Sequence, residues 1–123
     1  MIEPRQAVGK AGEDAAVRYL SRLGYRILER NYRCRFGEID LIARDGKMLA
    51  FVEVKTRRSH TYGPAAAAVT LRKQRHLIKA SQAYLIHRKK ADEPCRFDVV
   101  TVDMDAQQPH IELIKDAFQS TTD

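Results

Sequence analysis

Three charged residues, Asp40, Glu53 and Lys55, lie on two segments whose spacing would bring them together. The segments flank Asp45-Gly46, a dipeptide typical of a type I′ β-hairpin turn, because that turn needs positive φ at both central positions. With this turn, Asp40 lies opposite Phe51, and Asp40 and Glu53 are diagonal neighbours about 7–8 Å apart at Cα. Side chains alternate along a strand with period two. All three charged groups are therefore predicted on one face of the hairpin.

The surroundings of Glu53 make this arrangement costly without a cation. Residues 49–54 (LAFVEV) are apolar on both faces up to the glutamate, as in a central strand covered on both sides. Two carboxylates about 5 Å apart repel by roughly 3 kcal/mol at an effective dielectric near 20. An incidental surface ion pair contributes only about 0–1 kcal/mol, whereas a divalent cation such as Mg²⁺ suits an oxygen-rich site. The alternative is that Glu53 and Lys55 are ordinary rim charges paired with arginines such as Arg57.

Two further polar residues are candidates for the same site. Glu13 borders the predicted apolar stripe of the first helix, near Ala16 and Leu20, although the helix macrodipole also favours a solvated carboxylate in the first turns. Gln74 lies on a stripe with apolar neighbours, where a polar amide must find partners. Its alternative role is a satisfied amide that caps a loop or bridges to a sheet edge.

The elements that must position these groups follow from hydrophobic periodicity and turn residues. Helix 6–23 has an apolar stripe of Val8, Ala11, Ala15, Tyr19 and Leu23 and stops at Gly24. Strands are predicted over 25–31, 38–44 and 49–55, then a loop over 56–69. A second helix over 71–90 has Thr70 as N-cap and a stripe of Leu71, Gln74, Ile78 and Leu85. Strands over 97–102 and 110–114 complete an α/β chain with a mixed sheet flanked by helices.

Composition limits the class of protein and of partner. The 123 residues, 44% hydrophobic and 31% charged, predict one soluble domain with a core over about 6–118. No apolar run is long enough for a membrane span, and two isolated cysteines favour a reducing, cytoplasmic location. The net charge is +6, but residues 1–90 carry 20 Lys and Arg against 8 Asp and Glu. Such a basic field favours a nucleic-acid partner, and the alternative is a solvated basic surface.

These residues together resemble a known family. The sequence is similar to the YraN-type family of small bacterial proteins, which have a restriction-endonuclease-like (PD-(D/E)xK) fold related to archaeal Holliday-junction resolvases. The resemblance extends from about Gly9 to Phe118. It is carried by residues 9–13 (GKAGE), 35–43 (RFGEIDLIA), 51–57 (FVEVKTR) and 73–75 (KQR). Ile39 and Ile78 stand where the wider superfamily has proline and tyrosine.

The resemblance implies an αβββαβ core and a role for each matched residue. Asp40 and Glu53 would ligate Mg²⁺ or Mn²⁺, with the Val54 carbonyl as a further ligand and Glu13 as an outer one. Lys55 would orient the attacking water and stabilise charge at the phosphate. Gln74 would position water or the DNA backbone. Such a metal polarises the phosphate and lowers the pKa of bound water.

Basic residues near the hairpin ends and on the second helix are expected to contact phosphates and to give salt-dependent binding with little base readout. They are Arg33, Arg35, Arg57, Arg58, Arg72, Lys73 and Arg75. The sequence thus predicts a metal-dependent endonuclease acting on branched or structured DNA. The alternatives are a non-catalytic nucleic-acid-binding or partner-docking module of the same fold and an RNA-directed nuclease. A resolvase-like enzyme would act as a homodimer, for which the sequence shows no heptad.

Overall fold

The structure, a computed structural model, describes residues 4–57, 69–104 and 108–120, with side chains from residue 7 onward. It contains two helices and five strands in the predicted order. They are α1 (Pro4–Arg22), β1 (Arg26–Cys34), β2 (Gly37–Asp45), β3 (Met48–Arg57), α2 (Leu71–His87), β4 (Cys95–Asp103) and β5 (His110–Phe118). No helix in the described ranges is long and apolar enough to cross a membrane.

The five strands form one mixed sheet in the order β1-β2-β3-β4-β5. The β3–β4 pair is parallel and the other pairs are antiparallel. Because parallel neighbours need a crossover, α2 connects β3 to β4 across one face. Helix α1 packs on the other face, over Leu41, Val52 and Val100, and α2 packs over Phe51 and Phe97. This α/β architecture, with β5 added at the edge, confirms the expected restriction-endonuclease-like core.

The predicted hairpin register is wrong by two residues. Leu41 pairs with Val52 and Asp45 with Met48, so the turn is formed by Gly46 and Lys47. Gly46 has φ +61° while Lys47 is not in the positive-φ region, as in a type II′ turn rather than type I′. A shift by two preserves which residues of the paired strands share a face, because only an odd shift reverses the faces.

The helix stripes are also rotated from their predicted positions. In α1 the buried row is Gly12, Ala15, Ala16 and Leu20, while Ala11 is exposed and Leu23 is half-exposed. The small residues let α1 approach the sheet closely: a Cβ on Gly12 would lie 2.0 Å from Thr56 Oγ1.

In α2 the buried residues are Leu77, Ala80, Ser81 and Tyr84, and Leu71 is 68% exposed. The N-cap at Thr70 is confirmed, since its hydroxyl accepts from the Lys73 N–H at 3.2 Å. The helix ends earlier than predicted, because Lys89 adopts left-handed φ of +57° after the C-cap at Arg88.

A polar network that the sequence did not predict holds the far end of the sheet. Asp98 is fully buried and accepts from Tyr25 at 2.9 Å and from Arg96 at 2.9 Å. The Arg96 guanidinium also binds Asp45 in β2 at 2.6 Å, and the Asp116 N–H of β5 donates to Asp98 at 2.9 Å. Among the described residues, the partners of Asp98 all belong to this network, which does not include Asp40 or Glu53.

Candidate active site

The candidate site lies where β2 and β3 stop pairing. Their ladder in the described residues ends at Leu41–Val52, while β3 continues beside β4 as far as Arg57–Asp103. Continued by one pair, the register places Asp40 directly opposite Glu53 rather than diagonal to it. The Asp40 Oδ2 atom accepts from the Val54 N–H at 2.8 Å. The Asp40 side chain thus fills the opening between the strands and is held next to Glu53.

Glu53 is a buried carboxyl group with an unsatisfied oxygen. Its exposed fraction is 3%, and Oε1 has no hydrogen-bond partner among the described residues. Burial is the main cause that raises the pKa of Glu53, and the negative charge of the neighbouring Asp40 carboxylate adds to it. Lys73 and Lys55 oppose the increase but are outweighed, and the pKa reaches about 8. A buried acid with one unsatisfied oxygen, beside a second carboxylate, is typical of a functional site rather than a structural one.

Two ammonium groups approach the other oxygen of Glu53. Lys55 Nζ lies 3.8 Å from Oε2 and Lys73 Nζ lies 3.7 Å from the same atom. Both distances exceed hydrogen-bond range, and both lysines remain partly exposed. Lys55 was expected here, because it follows Glu53 by one period of the strand. Lys73 was assigned only to phosphate contacts. Sequence patterns did not indicate this contact, because the rotation of α2 over the sheet decides which of its side chains reaches Glu53.

An open cavity of about 440 Å³ adjoins these groups. Its lining combines main chain and side chains from α1, β2 and β3: Val8, Gly9, Glu13, Asp40, Val54, Lys55 and Thr56. Glu53 is not in this lining, in keeping with its burial. The cavity therefore brings Glu13, Asp40, Val54 and Lys55 together at one end of the sheet.

Glu13 lines the cavity but is already engaged. Its Oε1 accepts from the Arg30 guanidinium at 3.1 Å and from the Asn31 amide at 3.0 Å. Asn31 has φ +56°, a left-handed conformation that asparagine tolerates better than most residues. No three His, Cys, Asp or Glu side chains in the described ranges converge as a ready-made metal site. A cation here would therefore rest on Asp40, Glu53 and main-chain oxygen, with Glu13 further out.

Gln74 caps a loop, which is the alternative to a role in the site. Its Nε2 donates to the Val69 carbonyl at 3.2 Å. The bond ties the first turn of α2 to the residue before the N-cap. No hydrogen bond joins Gln74 to Asp40 or Glu53 in the described part of the chain, so the observed role of Gln74 is to support the helix that carries Lys73.

The predicted phosphate-contacting residues fall into different environments. Arg57 binds the buried Asp103 through Nε at 2.8 Å and is only 12% exposed, so it is a structural ion pair. Arg33 is 80% exposed and lies 3.8 Å from Glu38, and the Arg35 guanidinium lies 4.8 Å from the Phe36 ring centroid. Arg72 and Arg75 are exposed on α2. Arg58 lies outside the described residues.

The family model and the similar proteins that match this chain all point to the same family. A model of "Uncharacterised protein family UPF0102" matches residues 12–102. A UPF0102 protein of Geobacter metallireducens is 51% identical over 114 residues, which is 93% of each chain. One from Syntrophus aciditrophicus is 54% identical over 111 residues, covering 90% of this chain and 87% of the relative. One from Symbiobacterium thermophilum is 50% identical over 114 residues, covering 92% and 97%.

Proposed function

This chain belongs to the UPF0102 family, confirming the YraN-type resemblance, and we propose that it is a metal-dependent endonuclease acting on branched or otherwise structured DNA. The observation that carries the proposal is the Glu53 carboxyl: buried, adjacent to Asp40, and with Oε1 unpartnered among the described residues. Such a group is costly to keep unless a ligand completes it. A divalent cation is the ligand that two neighbouring carboxylates favour.

The residues present fit a hard cation such as Mg²⁺ or Mn²⁺. Asp40, Glu53 and the Val54 carbonyl would hold it, with Glu13 in an outer position. When bound, such a cation polarises the phosphate and activates water. The donors are all oxygen, which suits these cations better than zinc. Because the described residues offer few side-chain ligands, water and the substrate phosphate would complete the coordination.

The side chains of the site have separate tasks in phosphodiester hydrolysis. The OH of a water molecule is transferred to phosphorus, the bond from phosphorus to one nucleoside oxygen breaks, and hydrogen is transferred to that oxygen. Lys55 lines the cavity with Asp40, where its ammonium would orient the water and stabilise negative charge that develops on the phosphate. Asp40 is oriented by the Val54 N–H, which keeps its carboxylate beside Glu53.

The rest of the surface supports a polyanionic substrate. Exposed Arg72 and Arg75 lie on the helix that brings Lys73 to Glu53, so phosphates on this surface would lead toward the site. These contacts position a backbone and do not read bases. DNA and RNA both contain the phosphodiester backbone that these residues would bind. The experiment must therefore distinguish cleavage of RNA from cleavage of DNA.

Cleavage of a labelled panel of duplex, branched and single-stranded DNA and matched RNA, with Mg²⁺ or Mn²⁺, tests the proposal. Wild-type protein should cut a structured DNA. Asp40→Ala and Glu53→Gln should lose cleavage and keep DNA binding, while Glu38→Gln, a carboxylate elsewhere on β2, should behave as wild type. Absence of cleavage of any substrate with either metal would overturn the enzymatic proposal and favour a binding module. Cleavage of RNA alone would replace the substrate.

A further inference from the structure

Lys73 lies beside Glu53, and a phosphate contact away from the candidate site does not explain this position. Its Nζ approaches Glu53 Oε2 at 3.7 Å from α2, while Lys55 Nζ approaches the same oxygen at 3.8 Å from β3. Two cations from different elements therefore lie near one carboxylate oxygen. Neither is within hydrogen-bond range of it, and Lys73 keeps 37% of its side chain exposed. Its ammonium donors thus remain open to a group entering from solvent.

Lys73 lies in the first turn of α2, where the positive end of the helix dipole disfavours a cation. The turn contains no acidic residue, although acidic residues are favoured at the positive end of a helix. Thr70 caps the turn by accepting from the N–H of Lys73 at 3.2 Å, and the Gln74 amide binds the Val69 carbonyl at 3.2 Å. The helix dipole and the Lys73 ammonium therefore present positive charge at the same place, where an anion gains from both.

We propose that Lys73 is a second cationic group of the active site, which contacts the same phosphate as Lys55 from the α2 side. The inference rests on the proposed nuclease function and extends it. Lys55 and Lys73 approach Glu53 Oε2, and Oε1 remains unpartnered among the described residues. A phosphate entering between the two lysines would receive donors from both elements. The competing view is that Lys73 is one more backbone contact, like Arg72 and Arg75.

Three variants separate these views: Lys73→Gln, Lys73→Arg and, as a matched control, Lys47→Gln in the exposed turn at the opposite end of β3. The first readout is Mn²⁺ binding by calorimetry without nucleic acid. Removing an ammonium 3.7 Å from a carboxylate oxygen of the cation site should tighten Mn²⁺ binding about tenfold in Lys73→Gln. Lys73→Arg and Lys47→Gln should bind as wild type.

The second readout is single-turnover cleavage at saturating DNA. Lys73→Gln should lower the rate about 100-fold while the Kd for DNA changes less than about threefold, because the contact acts on developing charge. Lys73→Arg should recover a large part of the rate. Weaker DNA binding with an unchanged saturated rate, or unchanged Mn²⁺ affinity, would overturn the inference. A wild-type protein that neither binds Mn²⁺ nor cleaves would instead refute the proposed function itself.

Discussion

Replacing Glu53 with glutamine should stabilise the metal-free protein at neutral and alkaline pH. Burial, and then the neighbouring Asp40, raise the pKa of Glu53 from 4.5 to about 8. A carboxyl group with a higher pKa in the folded state holds its proton more tightly when folded. The contribution of Glu53 to the free energy of unfolding is therefore highest below pH 4.5 and falls as the pH rises toward about 8.

The size of this effect follows from proton linkage. One proton held by the folded protein and not by the unfolded chain gives a slope of roughly 1.4 kcal/mol per pH unit at most. Across the interval between the two pKa values the loss amounts to a few kcal/mol, which is a large part of the stability of a small domain. Glutamine has a similar shape and no charge, so Glu53→Gln should remove the contribution of this residue to the pH slope.

Urea unfolding in the presence of EDTA, at several pH values between about 5 and 8, measures this difference. In the difference between wild type and variant, the contributions of the histidines and of the other carboxyl groups to the pH dependence of stability largely cancel. Glu38→Gln serves as the control, because Glu38 lies on the adjacent strand near Arg33 and should leave the slope unchanged. If wild type and Glu53→Gln lose stability in parallel as the pH rises, Glu53 is not a destabilised acid and the reasoning is refuted.

Three other substitutions test the packing and the charge assignments. Gly12→Val should lower the free energy of unfolding by about 1–3 kcal/mol in a denaturant titration, because the added side chain meets Thr56; wild-type stability would refute the close approach of α1. Arg57→Ala should lower the free energy of unfolding by about 1–3 kcal/mol because it removes the charged hydrogen bonds that the guanidinium donates to the buried Asp103 carboxylate, and a loss of DNA affinity with no loss of stability would contradict this. Arg72→Ala should leave thermal stability unchanged but reduce the log–log salt slope of DNA binding by about one, which fails if the slope is unaltered.

The face shared by Glu53 and Lys55 could be predicted because it depends only on the period of a strand. The prediction survived an error in the turn: moving the turn by one residue shifts the register by two and preserves the faces. The central position of β3 in the sheet could also be predicted, because both faces of this strand are apolar up to Glu53. The turn and the strand period were therefore enough to predict that Asp40 and Glu53 lie close together.

The partners of α2 and of Arg57 could not be predicted in the same way. Which side of α2 is buried depends on its rotation over the sheet, and Leu71 proved exposed while Ser81 is buried. That rotation decides whether Lys73 reaches Glu53. Arg57 meets Asp103 through the register of parallel strands, which a crossover helix separates in sequence and no local turn specifies. The sequence patterns of this chain therefore did not predict the register between strands that are distant in sequence.

Calorimetric titration of the metal-free protein with Mn²⁺ at about pH 8, beside Asp40→Asn and Glu53→Gln, tests the central assignment most directly. The wild type should bind Mn²⁺, and each variant should weaken binding about 100-fold or more, since even residues that only orient metal ligands contribute 10–100-fold. Glu38→Gln should bind as wild type. Equal affinity in all four proteins, or no binding by the wild type, would contradict a cation site formed by Asp40 and Glu53.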